Sequence, residues 1–191
     1  MVVDAFPIGI DPLRFERALA SERVRAAIAD LRARFAGKRL ILGIDRLDPI
    51  KGLPHKLLAW EALLTRHPEW IGHAVLLQIA VPSRAEVASY VQLRESVHAL
   101  VGRINGRFGS VETAAIHYLD RSVPFDELCA LYRLADVALV TSLRDGMNLV
   151  SFEYIACQHG KGGGDKGGGR GSDGDGGGGG GDGGGGDGGG G

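Results

Sequence analysis

Hydrophobic positions along the chain alternate between two kinds of run. Residues 38–45 carry Leu40, Ile41, Leu42 and Ile44 almost without interruption, and Ala74–Val81 is apolar over nearly its whole length. Short continuous runs of this kind predict strands covered on both faces. Residues 114–119 and 137–140 predict two further strands. Between the strands the period changes. Val24, Ile28, Leu31 and Phe35 recur at intervals of 4, 3 and 4, the stripe of one helix face, with Ser21 placed to cap its start and Gly37 to stop it. Leu53, Leu57, Trp60 and Leu64 mark a helix over 53–65. A long helix follows Pro82-Ser83 with Val87, Tyr90, Val97, Leu100 and Val101 inward, and 124–135 and 146–157 predict two more. Asp11-Pro12 begins a helical turn ahead of all these. Strands alternating with helices of this length predict an α/β fold: a Rossmann-like, doubly wound parallel sheet with helices on both faces.

Such sheets bind ligands beyond the carboxyl ends of their strands. Asp45-Arg46, Pro82-Ser83-Arg84, Asp120-Arg121 and Arg144-Asp145 each lie just past a predicted strand and are expected to converge on one edge. The fourth strand leads through Ser142, Asp145 and Gly146 into a helix. The free N–H groups at a helix start attract phosphate. Asp145 and Glu153, ionised at neutral pH, suit sugar hydroxyls instead. Phosphate donors beside hydroxyl acceptors point to a nucleotide sugar. The sequence has no GxGxxG, so a simple dinucleotide site has no support.

Composition changes the picture at one end. Of 32 glycines, 23 fall within 160–191, a stretch of Gly, Asp and Lys without an apolar residue. It cannot build a core, and 159–191 is expected to be a disordered low-complexity tail behind a folded unit of residues 1–158. The formal net charge of −1 gives no field for nucleic acid or membrane. No apolar run reaches the roughly 18 residues of a spanning helix. The start Met-Val-Val-Asp-Ala-Phe-Pro is unlike a signal peptide, and Cys129 and Cys157 have neither metal-ligand nor disulfide spacing. A cytoplasmic protein without metal or cofactor is expected.

The segment Asp45-Arg46-Leu47-Asp48-Pro49-Ile50-Lys51-Gly52 is followed in order by Gln78-Ile79-Ala80-Val81-Pro82, by Gly102-Arg103-Ile104-Asn105-Gly106-Arg107-Phe108-Gly109, and by Leu139-Val140-Thr141-Ser142-Leu143-Arg144-Asp145-Gly146-Met147-Asn148-Leu149-Val150. Together these closely resemble the trehalose-6-phosphate synthase family over about residues 5–158. That family joins glucose from UDP-glucose to glucose 6-phosphate, with retention and an α,α-1,1 linkage. It uses two Rossmann-like domains across a cleft, the GT-B arrangement. The resemblance implies that this chain is part of the C-terminal, nucleotide-sugar domain. It implies Arg46 and Lys51 on the diphosphate, and Asp145 on hydroxyls of the donor glucose. Met147, Asn148, Leu149 and Val150 would lie with their backbone against the donor, Glu153 on the ribose, and Ile79 and Leu128 beside the uracil. Arg84 would reach the phosphate of glucose 6-phosphate. Taken as bare residues, Met147 and Leu149 read better as helix-start packing, while Ile79 and Leu128 read equally well as core residues and Arg46 and Lys51 as a surface pair.

The family's N-terminal domain, which holds most of the acceptor site, matches nothing in these residues, and the match fades near Gln158. Two readings therefore stand. The chain is a piece of a synthase, inactive alone or needing a partner, or it is a noncatalytic module that binds UDP or UDP-glucose or docks on a full-length synthase. The tail reads either as a true extension or as a repeat-rich stretch translated out of frame. Residues 137–140, interior in a complete sheet, are expected to form an exposed edge.

Overall fold

The computed structural model describes residues 7–83 and 86–159. Arg84, and with it the expected acceptor-phosphate contact, lies outside the described residues, as does the glycine-rich stretch from 160 onward. Two helices come first, α1 (Pro12–Ala20) and α2 (Glu22–Arg34). Asp11 caps the first by accepting from the Leu13 N–H at 3.1 Å, and Ser21 caps the second by accepting from the Val24 N–H at 3.3 Å. The alternating part follows as β1 (Arg39–Arg46), α3 (Leu53–Arg66), β2 (Ala74–Val81), α4 (Ala88–Phe108), β3 (Ile116–Leu119), α5 (Phe125–Leu134), β4 (Val137–Ala138) and α6 (Leu149–Gln158).

All the strand pairs are parallel, in the order β3-β2-β1-β4. The chain winds outward from β1 to β3, then crosses back to lay β4 on the other side of β1. This is the doubly wound α/β fold that the apolar periodicity predicts. Alternation along β2 divides the core. Val75, Leu77 and Ile79 face a cluster with Phe15, Val24, Tyr132 and Cys157 from the α1, α2, α5 and α6 side. Leu76 and Ala80 face a cluster with Leu57, Trp60, Val97 and Ile104 from α3 and α4. Both faces of β1 and β2 are covered, which is why their apolar runs are nearly continuous.

Four expected placements move. The fourth strand is two residues long rather than 137–140, and Val137 is 48% exposed because it lies on the sheet edge beyond β1. After Leu139, whose N–H still reaches the Leu42 carbonyl, the chain leaves the sheet. The last helix begins at Leu149 rather than Gly146, since Asn148 is its cap: the side chain accepts from the Ser151 N–H at 3.1 Å. Val87 precedes α4 and is 46% exposed, so it does not point inward. Asp45 and Arg46, expected just past β1, are its last two residues.

Candidate functional site

The reversal of winding leaves a crevice between β1 and β4 at their carboxyl ends, the place where open α/β sheets take ligands. A cleft of about 230 Å³ opens there. Asp45, Arg46 and Lys51 line it from the β1 side, and Asp145, Met147, Asn148, Leu149 and Val150 from the β4 side. Seven of the expected donor-site residues thus share one cavity.

Each is held by local chemistry. After β1 the chain makes a 3-10 turn, Pro49–Lys51, capped by Asp48, which accepts from the Ile50 N–H at 3.1 Å. Gly52 follows at φ 65°, where a side chain is strained, and a Cβ there would stand 3.0 Å from the Thr141 carbonyl oxygen. The close approach brings the two loops together: the Leu143 N–H donates to the Ile50 carbonyl at 2.8 Å, and the Arg144 N–H to the same oxygen at 3.4 Å. Gly52→Ala is expected to lower stability by about 1–2 kcal/mol through backbone strain. Chemical denaturation measures this, and an unchanged midpoint would remove the strain argument.

Across the cleft Lys51 Nζ meets Asp145 Oδ2 at 2.7 Å, with side chains 13% and 24% exposed. Asn148 Nδ2 donates to the same oxygen at 3.0 Å. The Lys51 hydrogen bond first, and the Asn148 one next, hold the Asp145 carboxyl below the usual carboxylate range. A lowered folded-state value means the contribution to stability is present above the ordinary carboxylate pKa of about 4 and is lost as pH falls through the lower folded value. Asp145→Asn is therefore expected to flatten the acid limb of a stability-against-pH curve. An unaltered acid limb would contradict the pairing. Arg46 is exposed and has no ion pair to any described residue, so its guanidinium is available to a ligand. The first N–H groups of α6 have no intrahelical acceptor and carry the positive end of its dipole, with Leu149 and Val150 at the cleft wall.

The other expected donor residues among those described, Ile79, Leu128 and Glu153, are not part of the cleft lining. Ile79 is fully buried in the core and Leu128 packs against the same cluster. Glu153, one turn into α6, accepts from the Tyr132 hydroxyl at 2.6 Å. At the other strand ends, Asp120 is taken by Arg94 and His98 at 2.5 and 3.0 Å, and Arg121 pairs with Glu127 at 3.3 Å. Because all the strand pairs are parallel, the described strand ends lie along one edge of the sheet, as expected, but Asp120 and Arg121 are not among the residues that line the cleft.

Beneath the cleft is a polar group that periodicity did not single out. Lys56 Nζ lies 2.5 Å from Asp45 Oδ2, and the two side chains are 0% and 2% exposed. Gln78 Nε2 donates to the same carboxylate oxygen at 3.0 Å, while Gln78 Oε1 is buried without a partner. Burial pulls the Lys56 ammonium below the usual lysine range, and Asp45 opposes this. The signal was available: Lys56 lies three residues after Leu53 and four before Trp60, on the inward stripe of α3.

Comparison with known proteins gives the family. Residues 1–164 match the family model described as glycosyltransferase family 20. The chain belongs to glycosyltransferase family 20. Within family 20 it is 58% identical over 163 residues to the alpha,alpha-trehalose-phosphate synthase (UDP-forming) of Botryotinia fuckeliana, covering 85% of this chain and 31% of that one. It is 56% identical over 161 residues to the 56 kDa synthase subunit of Saccharomyces cerevisiae, covering 84% and 32%. Among solved structures, the E. coli protein bound with UDP-2-fluoro glucose superposes with a TM-score of 0.76 at 39% identity, over 81% of this chain and 34% of that one. A Burkholderia xenovorans synthase in complex with glucose-6-phosphate gives 0.76 at 36% identity, over 81% and 34%. The chain spans about a third of the length of these family 20 relatives.

Proposed function

We propose that this chain is the nucleotide-sugar side of a trehalose-6-phosphate synthase, holding UDP-glucose while its glucose passes to glucose 6-phosphate. The observation that carries the reading is the meeting of Arg46, Lys51, Asp145 and the α6 N-terminus in one cleft at the β1/β4 crevice. The bond from the glucose anomeric carbon to the diphosphate oxygen breaks in the transfer, and negative charge collects on the departing UDP. Fixed cations and helix N–H groups aimed at that charge lower the barrier. Arg46 offers a planar fork of donors and Lys51 a point charge. Asp145, kept ionised by its partners, accepts from glucose hydroxyls. The backbone of Met147, Asn148, Leu149 and Val150 lies along the donor. Leu128, which is only partly buried, stands beside the uracil, and Glu153 takes the ribose while shared with Tyr132; the Ile79 side chain, expected there from the resemblance, is enclosed in the core. Arg84 serves the acceptor phosphate.

Isothermal titration of the chain with UDP-glucose tests this. Saturable binding, with NMR shifts centred on residues 46, 51 and 145–150, is the expected result. Absence of binding at millimolar ligand would sink the donor-site reading. The relatives are about three times as long as the matched part of this chain. These residues alone are therefore expected to form no trehalose 6-phosphate, because donor and acceptor must be held together for a lowering of about 7–11 kcal/mol to be realised. UDP release on mixing with both substrates would contradict that. A full-length synthase is the partner expected to supply the acceptor side. Restored turnover in the two-protein mixture would be its signature.

A further inference from the structure

Asp45 poses an electrostatic problem for the donor site. Asp45 is among the residues of the same cleft wall as Arg46 and Lys51, with its side chain 2% exposed just beneath the surface where the proposed ligand brings a diphosphate. An uncompensated carboxylate buried in the wall repels such a ligand, since like charges across an interface cost affinity. Lys56 lies behind it. The lysine is fully buried, lines no part of the cleft, and has its ammonium against Asp45 Oδ2. Gln78 fills a further position on that oxygen. The backbone makes room for the arrangement at Gly43, where a Cβ would stand 2.9 Å from Lys56 Nζ and closer still to Gln78 Oε1. A buried lysine and a glycine vacancy are a costly way to hold a strand end, because well-packed apolar side chains usually do as well. The pair makes sense as compensation: it leaves the cleft floor polar but locally neutral.

We infer that Lys56 is a positioning residue for the donor site, neutralising Asp45 from beneath so that Arg46 and Lys51 present their charge to the diphosphate without opposition. It acts through Asp45 and touches no ligand. The inference rests on the donor-site reading, and a charge-selective comparison separates the two. UDP carries the diphosphate, and uridine has the same base and ribose without it.

The full chain would be titrated with both. Lys56→Met is expected to weaken UDP by about tenfold or more while leaving uridine within about twofold, since only the charged ligand feels the uncompensated carboxylate. The double variant Asp45→Asn/Lys56→Met is expected to return UDP to within about threefold of the unchanged chain, because charge and counter-charge leave together. An equal loss for UDP and uridine would make Lys56 a structural residue only and overturn the inference. So would a double variant that folds, by circular dichroism, yet binds UDP as poorly as Lys56→Met. If Lys56→Met does not fold, the double variant alone decides. An unchanged chain that binds uridine but gains nothing from the diphosphate would remove the donor-site reading and this inference with it. UDP binding that is tight and indifferent to Lys56→Met would remove the inference alone.

Discussion

Gly43→Ala is expected to be among the most destabilising single changes in this domain, by on the order of 3 kcal/mol. The position is in the middle of β1, opposite Gln78 on β2. Gln78 Oε1 occupies the space that a Cβ would need, with Lys56 Nζ next to it. Neither neighbour can withdraw freely. Gln78 is fully buried and its amide nitrogen is engaged by Asp45, and the lysine has the same carboxylate as its counter-charge. One methyl group therefore does more than crowd the core. It displaces a hydrogen-bonded charge pair, and a buried charge parted from its partner costs about 3–5 kcal/mol. Urea unfolding of the full chain would measure this. A midpoint shift worth less than about 1 kcal/mol would mean that the network relocates easily.

The second large effect concerns ligand rather than fold. Arg46→Ala/Lys51→Ala is expected to weaken UDP by about a hundredfold or more, since each lost charge-assisted contact in a partly desolvated site is worth about 1.5 kcal/mol or more. Lys51 should account for more of the loss than its single charge suggests. Its removal takes away a cation and also leaves Asp145 without its closest counter-charge, so the carboxylate then faces the diphosphate. Arg46 has no such partner among the described residues, and its loss should act through the ligand alone. Calorimetry on the two single variants and the double resolves this. Equal, additive losses would mean that Asp145 plays no part in the electrostatics of the cleft.

How much of this could be read from the sequence follows from where each residue packs. β1 and β2 are covered on both faces, so their apolar runs mark them almost to the residue. The stripe Leu53, Leu57, Trp60, Leu64 gives α3, because all four face one cluster. β4 was misjudged in length because Val137 and Val140 are apolar yet 48% and 39% exposed, and burial at a sheet edge depends on a neighbour that a local pattern does not encode. The start of α6 was placed early because glycine near a helix start is a weaker marker than the Asn148 side chain that caps it. The cleft residues were legible through the motif resemblance. Asp45, Lys56 and Gln78 as a buried unit were not, for a carboxylate at a strand end reads as solvated until the lysine from the next helix is found behind it.

One feature of the loops bears on affinity in a different way. The Ile50 carbonyl accepts from both Leu143 and Arg144, and Gly52 packs within reach of Thr141. The segment carrying Lys51 and the segment carrying Asp145 are thereby ordered as one piece when the domain folds. A ligand arriving between them has little left to freeze. The entropy lost in fixing the two sides is charged to folding rather than to association, and most of the contact energy then remains visible in the dissociation constant.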